Sequence, residues 1–265
     1  MSEVLIAQED YLVTLKDINL RYSGEKGEVL ALEDINLNIR EGEFICVLGP
    51  SGCGKSTLLK IIAGFNKPSD GEAKMDDKVI NCANYERGVV FQAPPLYPWL
   101  NIYDNVAFGL KMRKVEKVKA NELVEKYLDI VGLKDFGKQK PYELSGGMKQ
   151  RASLARVLVN QPRMILMDEP FGALDAFTRQ NMQSLIRDIW IKNKSTIFLI
   201  THDVDEALAL GTRVIVMSSR PGKILKEFNV DFTYDITGVN QESSRYSSDY
   251  IEIREEILNI INSQR

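Results

Sequence analysis

The 265-residue sequence contains few of the residues that usually build metal or redox sites: one histidine, three cysteines and two tryptophans. Cys46, Cys53 and Cys82 are odd in number and lack the spacing of metal ligands, which argues against a disulfide framework and against a thiolate metal site. Cys46 lies in an apolar run and is predicted to be a small core residue. A reducing, cytosolic compartment fits this cysteine content best.

Long apolar runs and a strong charge imbalance are also missing. No run approaches the roughly 18 residues needed to span a bilayer, and the start MSEVLIAQEDYLV lacks the basic and apolar regions of a secretory signal. The formal net charge of −3 gives no general attraction to nucleic acid or to anionic lipid. We therefore expect no nucleic-acid partner, and we expect any role at a membrane to depend on a partner protein.

Short apolar runs that end in turn-forming residues recur along the chain. They predict strands buried on both faces, as in a parallel sheet covered by helices. The runs are FICVLG (44–49), GVVF (88–91), MILMDEP (164–170), TIFLITHD (196–203) and RVIVMS (213–218). Amphipathic patterns lie between them: one at 55–65 uses Leu58, Leu59, Ile62 and Phe65, and one at 120–133 has Gly132 as its predicted C-terminal cap. The alternation predicts an α/β core with a mostly parallel sheet.

Three further segments complete the predicted organisation. Two β-rich pieces separated by the turn-forming SGEKGE (23–28) predict an antiparallel layer at the N-terminal side. The stretch from about 93 to 160 is mainly helical in pattern and predicts an inserted helical subdomain. We expect one domain over 1–225 and a C-terminal extension over 226–265, in which Ile253, Ile257, Ile260 and Ile261 form one face of an amphipathic helix. Packing of that helix onto the core is favoured over a regulatory role.

A glycine-rich segment, GPSGCGKST, follows one predicted strand and opens a predicted helix. That context is the one in which G-x-x-x-x-G-K-[ST] cradles phosphate, because the glycines let backbone N–H groups converge on phosphate oxygens at a helix N-terminus. The pattern predicts that Lys55 pairs with the β- and γ-phosphates and that the Ser56 hydroxyl ligates Mg²⁺. The predicted nucleotide-binding residues here are Gly49, Pro50, Ser51, Gly52, Cys53, Gly54, Lys55, Ser56 and Thr57.

Two adjacent carboxylates end the apolar strand RMILMDEP. Asp168 is predicted to hold Mg²⁺, directly or through water, and Glu169 is predicted to orient or deprotonate the attacking water. An acidic pair after a strand is by itself a common start of a loop. Together with the phosphate cradle, it predicts a site of nucleotide hydrolysis.

The segment LSGGMKQR (144–151) lies between these motifs and resembles the signature sequence of ABC-transporter ATPases. The resemblance runs from about residue 12 to 225, with every motif in family order, and implies a P-loop NTPase core. It further implies that Tyr22 stacks on adenine, that Gln92 senses Mg²⁺ and the attacking water, and that Asp175 crosses a dimer interface. It also makes His202 the switch histidine, although an isolated histidine is more often a surface residue or a satisfied core group.

The residues SGG before a predicted helix form a second helix N-terminus with free amides, suited to a γ-phosphate. In the family, two subunits sandwich two ATP molecules head to tail. The resemblance therefore implies that Ser145, Gly146, Gly147 and Gln150 of one subunit help to bind the ATP held by Lys55 of the other. A neutral His202 imidazole at the end of the strand TIFLI is able to donate a hydrogen bond to the γ-phosphate.

The segment after Gln92, APPLYPWLNIYDNVAFGL, is rich in apolar and aromatic residues, and its prolines argue against a regular helix at its start. Most of these residues are expected in the subdomain core, whereas Tyr97 and Trp99 are predicted to line a groove for a helix of the membrane subunit. The amino-acid sequences of this segment and of RPGKI resemble those of importer ATPases in the nitrate, sulfonate and taurine branch. That branch also includes uptake of thiamine-pyrimidine precursors. A departure from that branch after RPG, in residues 229–250, leaves the substrate open.

The resemblance implies an ATPase that lies on the cytoplasmic face of the membrane with permease subunits, a second ATP-binding subunit and, indirectly, a substrate-binding protein. One alternative is a soluble ABC ATPase that acts on ribosomes or DNA. Such proteins usually carry two cassettes or a long coiled-coil insertion, for which the interval from Lys55 to Ser145 has no room. Another alternative is the ATPase of an exporter, which the motifs do not distinguish from an importer.

Overall fold

The computed structural model describes residues 11–24, 27–235 and 247–264. Its strands are β1 (Val13–Gly24), β2 (Gly27–Ile39), β3 (Phe44–Leu48), β4 (Asp70–Met75), β5 (Lys78–Val79), β6 (Arg87–Val90), β7 (Met164–Asp168), β8 (Thr196–Ile200), β9 (Arg213–Met217) and β10 (Ile224–Asn229). Its α-helices are α1 (Lys55–Ala63), α2 (Ile102–Met112), α3 (Lys117–Ile130), α4 (Gly146–Leu158), α5 (Ala176–Asn193), α6 (Val204–Leu210), α7 (Phe232–Asp235) and α8 (Ser248–Asn262). Single 3₁₀ turns lie at Lys134–Phe136 and Pro141–Glu143.

A six-stranded sheet in the order β10-β9-β3-β8-β7-β6 forms the centre of the fold. The pairs from β9 to β6 are parallel, and β10 is antiparallel to β9. Every residue of β3, β8 and β9 is buried, because helices or the second sheet cover both faces. The predicted strands and the predicted α/β class with a mostly parallel sheet are confirmed, and Cys46 is a fully buried core residue.

The second sheet has four antiparallel strands in the order β2-β1-β4-β5, which confirms the predicted N-terminal layer. Its apolar face packs with α1 and one face of the central sheet in a shared core that includes Ile18, Leu32 and Val47. The hairpin β4–β5 was not predicted, because its residues are mostly polar. Its tight turn uses Asp76 and Asp77, both with positive φ.

Helix α1 is shorter than its apolar pattern suggests. It ends at Ala63 because Gly64 adopts φ 79°, and a Cβ there would lie 2.3 Å from the Cys82 carbonyl oxygen. Phe65 therefore lies beyond the helix and is exposed, so its predicted place on the buried face is wrong. Gly132 does follow the end of α3, with φ 65° and its N–H bonded to the Asp129 carbonyl, as predicted.

Helices α2, α3 and α4 lie between β6 and β7, where the helical subdomain was expected. Residues 91–101 contain no helix, in agreement with the prolines of that segment. Asn101 then begins α2 by accepting a 2.6 Å hydrogen bond from the Asp104 N–H. The aromatic segment thus lies at the join between the sheet and this group of helices.

The C-terminal residues are part of the same structure. The predicted boundary at 225/226 falls inside β10, which pairs with β9, so no domain boundary lies at that point. In α8, Ile257 is fully buried and Ile253, Ile260 and Ile261 pack against the main core, which confirms the predicted apolar face and its packing role. Within the part of the chain that the structure describes, no helix has both the length and the apolar character needed to span a membrane.

Candidate active site

The functional motifs meet at one edge of the central sheet. The glycine-rich loop follows β3, the residue His202 follows β8, the pair Asp168 and Glu169 ends β7, and Gln92 follows β6. These four strands are parallel neighbours in the order β3-β8-β7-β6, so their carboxyl ends lie side by side. Ligands bind at this edge in open α/β sheets, which makes it the candidate active site.

The loop before α1 is held in a conformation that only glycine permits at its last position. Gly54 has φ 107°, and a Cβ there would lie 2.7 Å from Leu32 Cδ2 and 2.9 Å from the Ala31 carbonyl oxygen. The ammonium of Lys55 donates to the carbonyls of Gly49 at 2.8 Å and Pro50 at 2.9 Å. The loop therefore curls around its own lysine, with the N-terminus of α1 at its base.

Not every side chain of this loop faces outward. Cys53 is 1% exposed and packs in the core beneath the loop, so only its backbone is available to a phosphate. Ser51 and Gly52 are exposed, and Ser56 and Thr57 are partly exposed at the start of α1. The loop thus offers mainly backbone N–H groups and two hydroxyls to a ligand.

Ser56 and Asp168 are in direct contact. The Ser56 hydroxyl donates a 3.0 Å hydrogen bond to Asp168 Oδ1. Burial raises the pKa of the Asp168 carboxyl, while the hydrogen bond from Ser56 acts in the opposite direction and the nearby charge of Glu169 adds to the rise. A hydroxyl and a carboxylate so placed are the hard oxygen ligands that Mg²⁺ takes in phosphate sites.

Glu169 lies between the two other predicted catalytic residues. Its Oε2 accepts a 3.4 Å hydrogen bond from Gln92 Nε2 and lies 3.6 Å from His202 Nδ1. The backbone of Glu169 is left-handed, with φ 45°, and its N–H bonds the Ile200 carbonyl at 3.0 Å. A left-handed non-glycine residue is costly, and such residues are concentrated at functional sites. The geometry brings all three predicted catalytic side chains together.

An open cavity of about 420 Å³ covers the glycine-rich loop. Tyr22 lines one side of it, and the Tyr22 hydroxyl lies 3.4 Å from Thr57 Oγ1 and accepts a 2.9 Å hydrogen bond from Asn66. Lys55, Ser56, Thr57 and Glu169 line the same cavity. Tyr22 is 44% exposed, so its ring is accessible for stacking.

Arg220 also lines this cavity, and sequence reasoning missed it. It belongs to the loop after β9, and its guanidinium donates a 3.2 Å hydrogen bond to the Gly52 carbonyl. The loop is held in turn by the Gly222 N–H, which donates to the Ala31 carbonyl at 2.9 Å. In the sequence, RPGKI contributes only to the resemblance to importers, and only the tertiary structure places its arginine at the site.

The signature residues form a separate surface at the N-terminus of α4. Ser145 is the N-cap and accepts a 3.3 Å hydrogen bond from the Met148 N–H. A Cβ added at Gly146 would meet no atom of the described residues within 4 Å, whereas at Gly147 it would lie 2.6 Å from Thr178 of α5. Gly146 thus faces open space, and Gly147 allows α4 to approach α5 closely.

Two of the predicted nucleotide-binding residues have other contacts in this chain. Gln150 is 3% exposed and donates to the Phe91 carbonyl at 3.4 Å, so it does not reach the surface. Within this chain Gln150 connects α4 to the segment that carries Gln92, and its contact with nucleotide stays a prediction. Asp175 is exposed and caps α5 by accepting from the Thr178 N–H at 3.0 Å, a bond that lowers the pKa of its carboxyl.

The donors present fit Mg²⁺ better than a metal held by protein alone. No group of three or more His, Cys, Asp or Glu side chains able to hold a metal occurs in the described residues. Ser56 and Asp168 supply two oxygen ligands, with Gln92 nearby on the next strand. Mg²⁺ binds in this manner when phosphate oxygens and water complete its octahedron.

Comparisons with known proteins agree with this geometry. The family model described as ABC transporter matches residues 32–172. The taurine import ATP-binding protein TauB of Pelagibacter ubique is 49% identical over 93% of both chains. The corresponding protein of Jannaschia sp. is 46% identical over 94% of this chain and 93% of its own.

Solved structures give the same result. A dimeric ATP-binding cassette in a post-hydrolysis state, bound to ADP and Pi, superposes with a TM-score of 0.74 at 33% identity and covers 83% of this chain and 99% of its own. CbiO1 of Clostridium perfringens, part of an ABC transporter complex, has a TM-score of 0.76 at 29% identity over 94% of this chain and 100% of its own.

Proposed function

Since this chain belongs to the ABC transporter family, we propose that it hydrolyses ATP to drive the import of taurine or a similar small sulfonate. Family membership makes it an ATP-binding ATPase subunit. The observation that supports taurine or a similar sulfonate as the substrate is the 49% identity to a taurine import protein over 93% of both chains. Nearly full coverage matters here, because it includes the segment after β9 in which the sequence departs from the branch pattern.

ATP binds, in this proposal, along the cavity over the glycine-rich loop. The adenine stacks on Tyr22, and the phosphates lie on the backbone N–H groups of residues 51–57 at the N-terminus of α1. Lys55 exchanges its two carbonyl partners for β- and γ-phosphate oxygens, which are stronger acceptors because they are charged. Substitution of Lys55 by alanine removes this contact and weakens nucleotide binding.

Ser56, Asp168 and Gln92 would hold Mg²⁺ beside the phosphates. When bound there, Mg²⁺ neutralises phosphate charge and fixes the orientation of the γ-phosphate. Glu169 accepts the proton of the water that attacks the γ-phosphorus, and Gln92 holds the Glu169 carboxylate by the 3.4 Å hydrogen bond. His202 stabilises the γ-phosphate by donating a hydrogen bond, for which its exposed ring is free to turn away from Glu169.

Two copies of the chain enclose two ATP molecules in this scheme. Ser145, Gly146 and Gly147 of one copy approach the γ-phosphate held by Lys55 of the other, and Asp175 crosses the interface. The exposed N-terminus of α4 supports this arrangement, since a Cβ added at Gly146 would meet no atom of the described residues within 4 Å. ATP then joins the two copies, and hydrolysis releases them.

Coupling to transport requires membrane subunits. We infer that separate permease subunits bind the aromatic segment around Tyr97 and Trp99, and that the protein lies peripherally on the cytoplasmic face of the membrane. Trp99 is 68% exposed and lies next to the Tyr97 ring, which supports a docking surface at this position. A substrate-binding protein delivers the sulfonate to the permease and has no contact with this chain.

The proposal is tested by reconstitution with the permease subunits and the substrate-binding protein of a taurine importer. Proteoliposomes should take up radiolabelled taurine only with MgATP inside, and Glu169→Gln should abolish uptake. The same variant should form a stable dimer by sedimentation with MgATP, whereas Lys55→Ala should remain a monomer. Uptake of nitrate but not of taurine would overturn the substrate, and association with ribosomal subunits instead of permeases would overturn the transport role.

A further inference from the structure

A buried polar cluster lies directly behind Glu169 and His202. Its centre is Glu206, on the first turn of α6, which is 6% exposed. A cavity of about 10 Å³ separates this carboxyl from Glu169 and His202, and Arg179 of α5 lines the same cavity. The hydrolysis mechanism described above uses neither Glu206 nor Arg179.

A short chain of hydrogen bonds connects Glu206 to the residues on both sides of His202. The Glu206 N–H donates to Asp203 Oδ1 at 3.1 Å, and the Asp203 N–H donates to Thr201 Oγ1 at 3.1 Å. The Glu206 carboxyl and Thr201 also line the same small cavity. The residues on either side of His202 are therefore tied to the same carboxyl-bearing residue.

Glu206 also connects this turn to α5. Its Oε1 accepts a 2.8 Å hydrogen bond from Gln183 Nε2. One turn earlier on α5, Arg179 donates to the Leu174 carbonyl at 3.3 Å, and its positive charge acts on the Glu206 carboxylate. Leu174 immediately precedes Asp175, so Arg179 joins the Asp175 turn to the region around Glu206. The Nε of Arg179 is buried and makes no hydrogen bond within the described part of the chain.

Burial makes this carboxyl costly. It raises the pKa of Glu206, while the hydrogen bonds from Thr201 and Gln183 and the charge of Arg179 act in the opposite direction. An apolar residue of similar volume at such a position is often as stable or more stable. The carboxylate therefore calls for an explanation other than stability.

We propose that Glu206 is a positioning residue that holds His202 and, through Arg179, makes its placement depend on the Asp175 turn. The inference rests on the proposed function, in which Asp175 meets the partner copy and His202 meets the γ-phosphate. Closure of the dimer moves or fixes the Asp175 turn, and the Arg179–Glu206 connection transmits that position to His202. Hydrolysis is thereby restricted to the closed dimer.

The test is Glu206→Leu, which keeps the volume and removes the polar contacts. The maximal ATPase rate should fall at least tenfold, while KM for ATP stays within twofold and the melting temperature does not decrease. Glu206→Gln, which keeps an oxygen acceptor for Gln183, should recover at least a third of the lost rate. It also replaces the leucine variant as the test if the leucine variant fails to fold. Wild-type turnover in the leucine variant would overturn the inference.

A matched control is Glu43→Leu, which removes a carboxylate that lies 3.4 Å from the largely buried Arg213 at the opposite end of β3. It should lower stability without changing turnover.

Arg179→Met should reduce turnover as Glu206→Leu does, and the double variant should be no slower than the slower single variant. Multiplicative losses would show that the two residues act separately and would contradict the connection. Failure of the proposed function is distinct, since Glu169→Gln would then hydrolyse ATP or fail to dimerise.

Discussion

The Ser56 hydroxyl donates a 3.0 Å hydrogen bond to Oδ1 of Asp168, 112 positions away in the chain. The contact joins α1, which follows β3, to the end of β7, although β8 lies between β3 and β7 in the sheet. It is formed above the edge of the sheet, where the N-terminus of α1 faces the end of β7. The fold thus holds the two oxygens proposed to bind Mg²⁺ within hydrogen-bond distance, and burial raises the pKa of the Asp168 carboxyl.

We expect Asp168→Asn to stabilise the protein without nucleotide while abolishing MgATP hydrolysis. Because the pKa of Asp168 is raised by folding, stability is lost as pH rises from the unfolded pKa through the folded pKa, and the asparagine avoids this loss. A gain of about 0.5–2 kcal/mol is typical when a strained functional group is replaced. Melting curves in the presence of EDTA should show the gain at pH 7.

The same gain should shrink as pH falls through the folded pKa, since the wild-type carboxyl is then protonated. Asp188→Asn is the control, because Asp188 is an exposed residue of α5 away from the site. If both variants shift the melting temperature equally, or if the gain of Asp168→Asn is constant with pH, the desolvation argument is wrong.

Gly146→Ala should separate the fold of the single chain from the assembly of two copies. An added Cβ meets no atom within 4 Å among the residues that the structure describes, and alanine is favoured over glycine in a helix by up to about 1 kcal/mol. We therefore expect an unchanged or higher melting temperature and unchanged ATP binding to the monomer. Sedimentation in the Glu169→Gln background should nevertheless show dimerisation weakened at least tenfold, because the methyl group occupies the space that the γ-phosphate must approach.

Gly137→Ala provides the comparison for that experiment. An added Cβ at Gly137 would have only ordinary contacts, the nearest at 3.6 Å, and the residue lies outside the predicted interface. It should dimerise like the parent protein. Equal dimerisation of both alanine variants would rule out the approach of α4 to the partner's nucleotide.

Most of the site could be predicted because each motif is a short local segment and the parallel sheet brings these segments to one edge. Once β3, β6, β7 and β8 are recognised as parallel strands, their carboxyl ends must lie at one edge, and Gln92, Glu169 and His202 follow them directly. The apolar runs that predict these strands are strong signals because the strands are buried on both faces or nearly so. The chemical roles of the residues remain predictions.

What could not be predicted depends on packing between distant segments. Arg220 and Glu206 enter the site through the loop after β9 and the first turn of α6, neither of which carries a pattern of its own. Gln150 has a motif position, yet the orientation of α4 buries its side chain. Phe65 fits the apolar period of α1, but the left-handed Gly64 ends the helix before it.

Trp99→Ala should uncouple ATP hydrolysis from transport. The loop beneath Trp99 is fixed, since the buried Asn105 bonds the Tyr97 N–H at 2.7 Å and the Tyr97 carbonyl at 3.1 Å. The tryptophan ring projects from a rigid base, as expected of a docking residue. Basal ATPase activity should stay within twofold, whereas stimulation by the permease subunits should fall at least fivefold.

Met112→Ala is the matched control for Trp99, because Met112 is 64% exposed at the end of α2 in the same group of helices. It should leave both basal and stimulated activities unchanged. Full stimulation of the Trp99→Ala protein would exclude the docking surface, while equal loss in both variants would point to a general effect of exposed apolar side chains.

Ile257→Ala should destabilise the whole protein, because α8 is part of the core. Ile257 is fully buried, and α8 is also fastened by Arg254, whose guanidinium bonds both carboxylate oxygens of Asp205 at 2.7 and 3.2 Å. Truncation of a buried isoleucine to alanine costs about 2–5 kcal/mol.

Ile251 lies on the exposed face of the same helix, and Ile251→Ala should change stability by no more than about 0.5 kcal/mol. Urea unfolding should show one transition for both variants, shifted only for Ile257→Ala. A separate early transition in that variant would mean that α8 unfolds on its own, and the C-terminal helix would then be an independent appendage and not a part of the ATPase core.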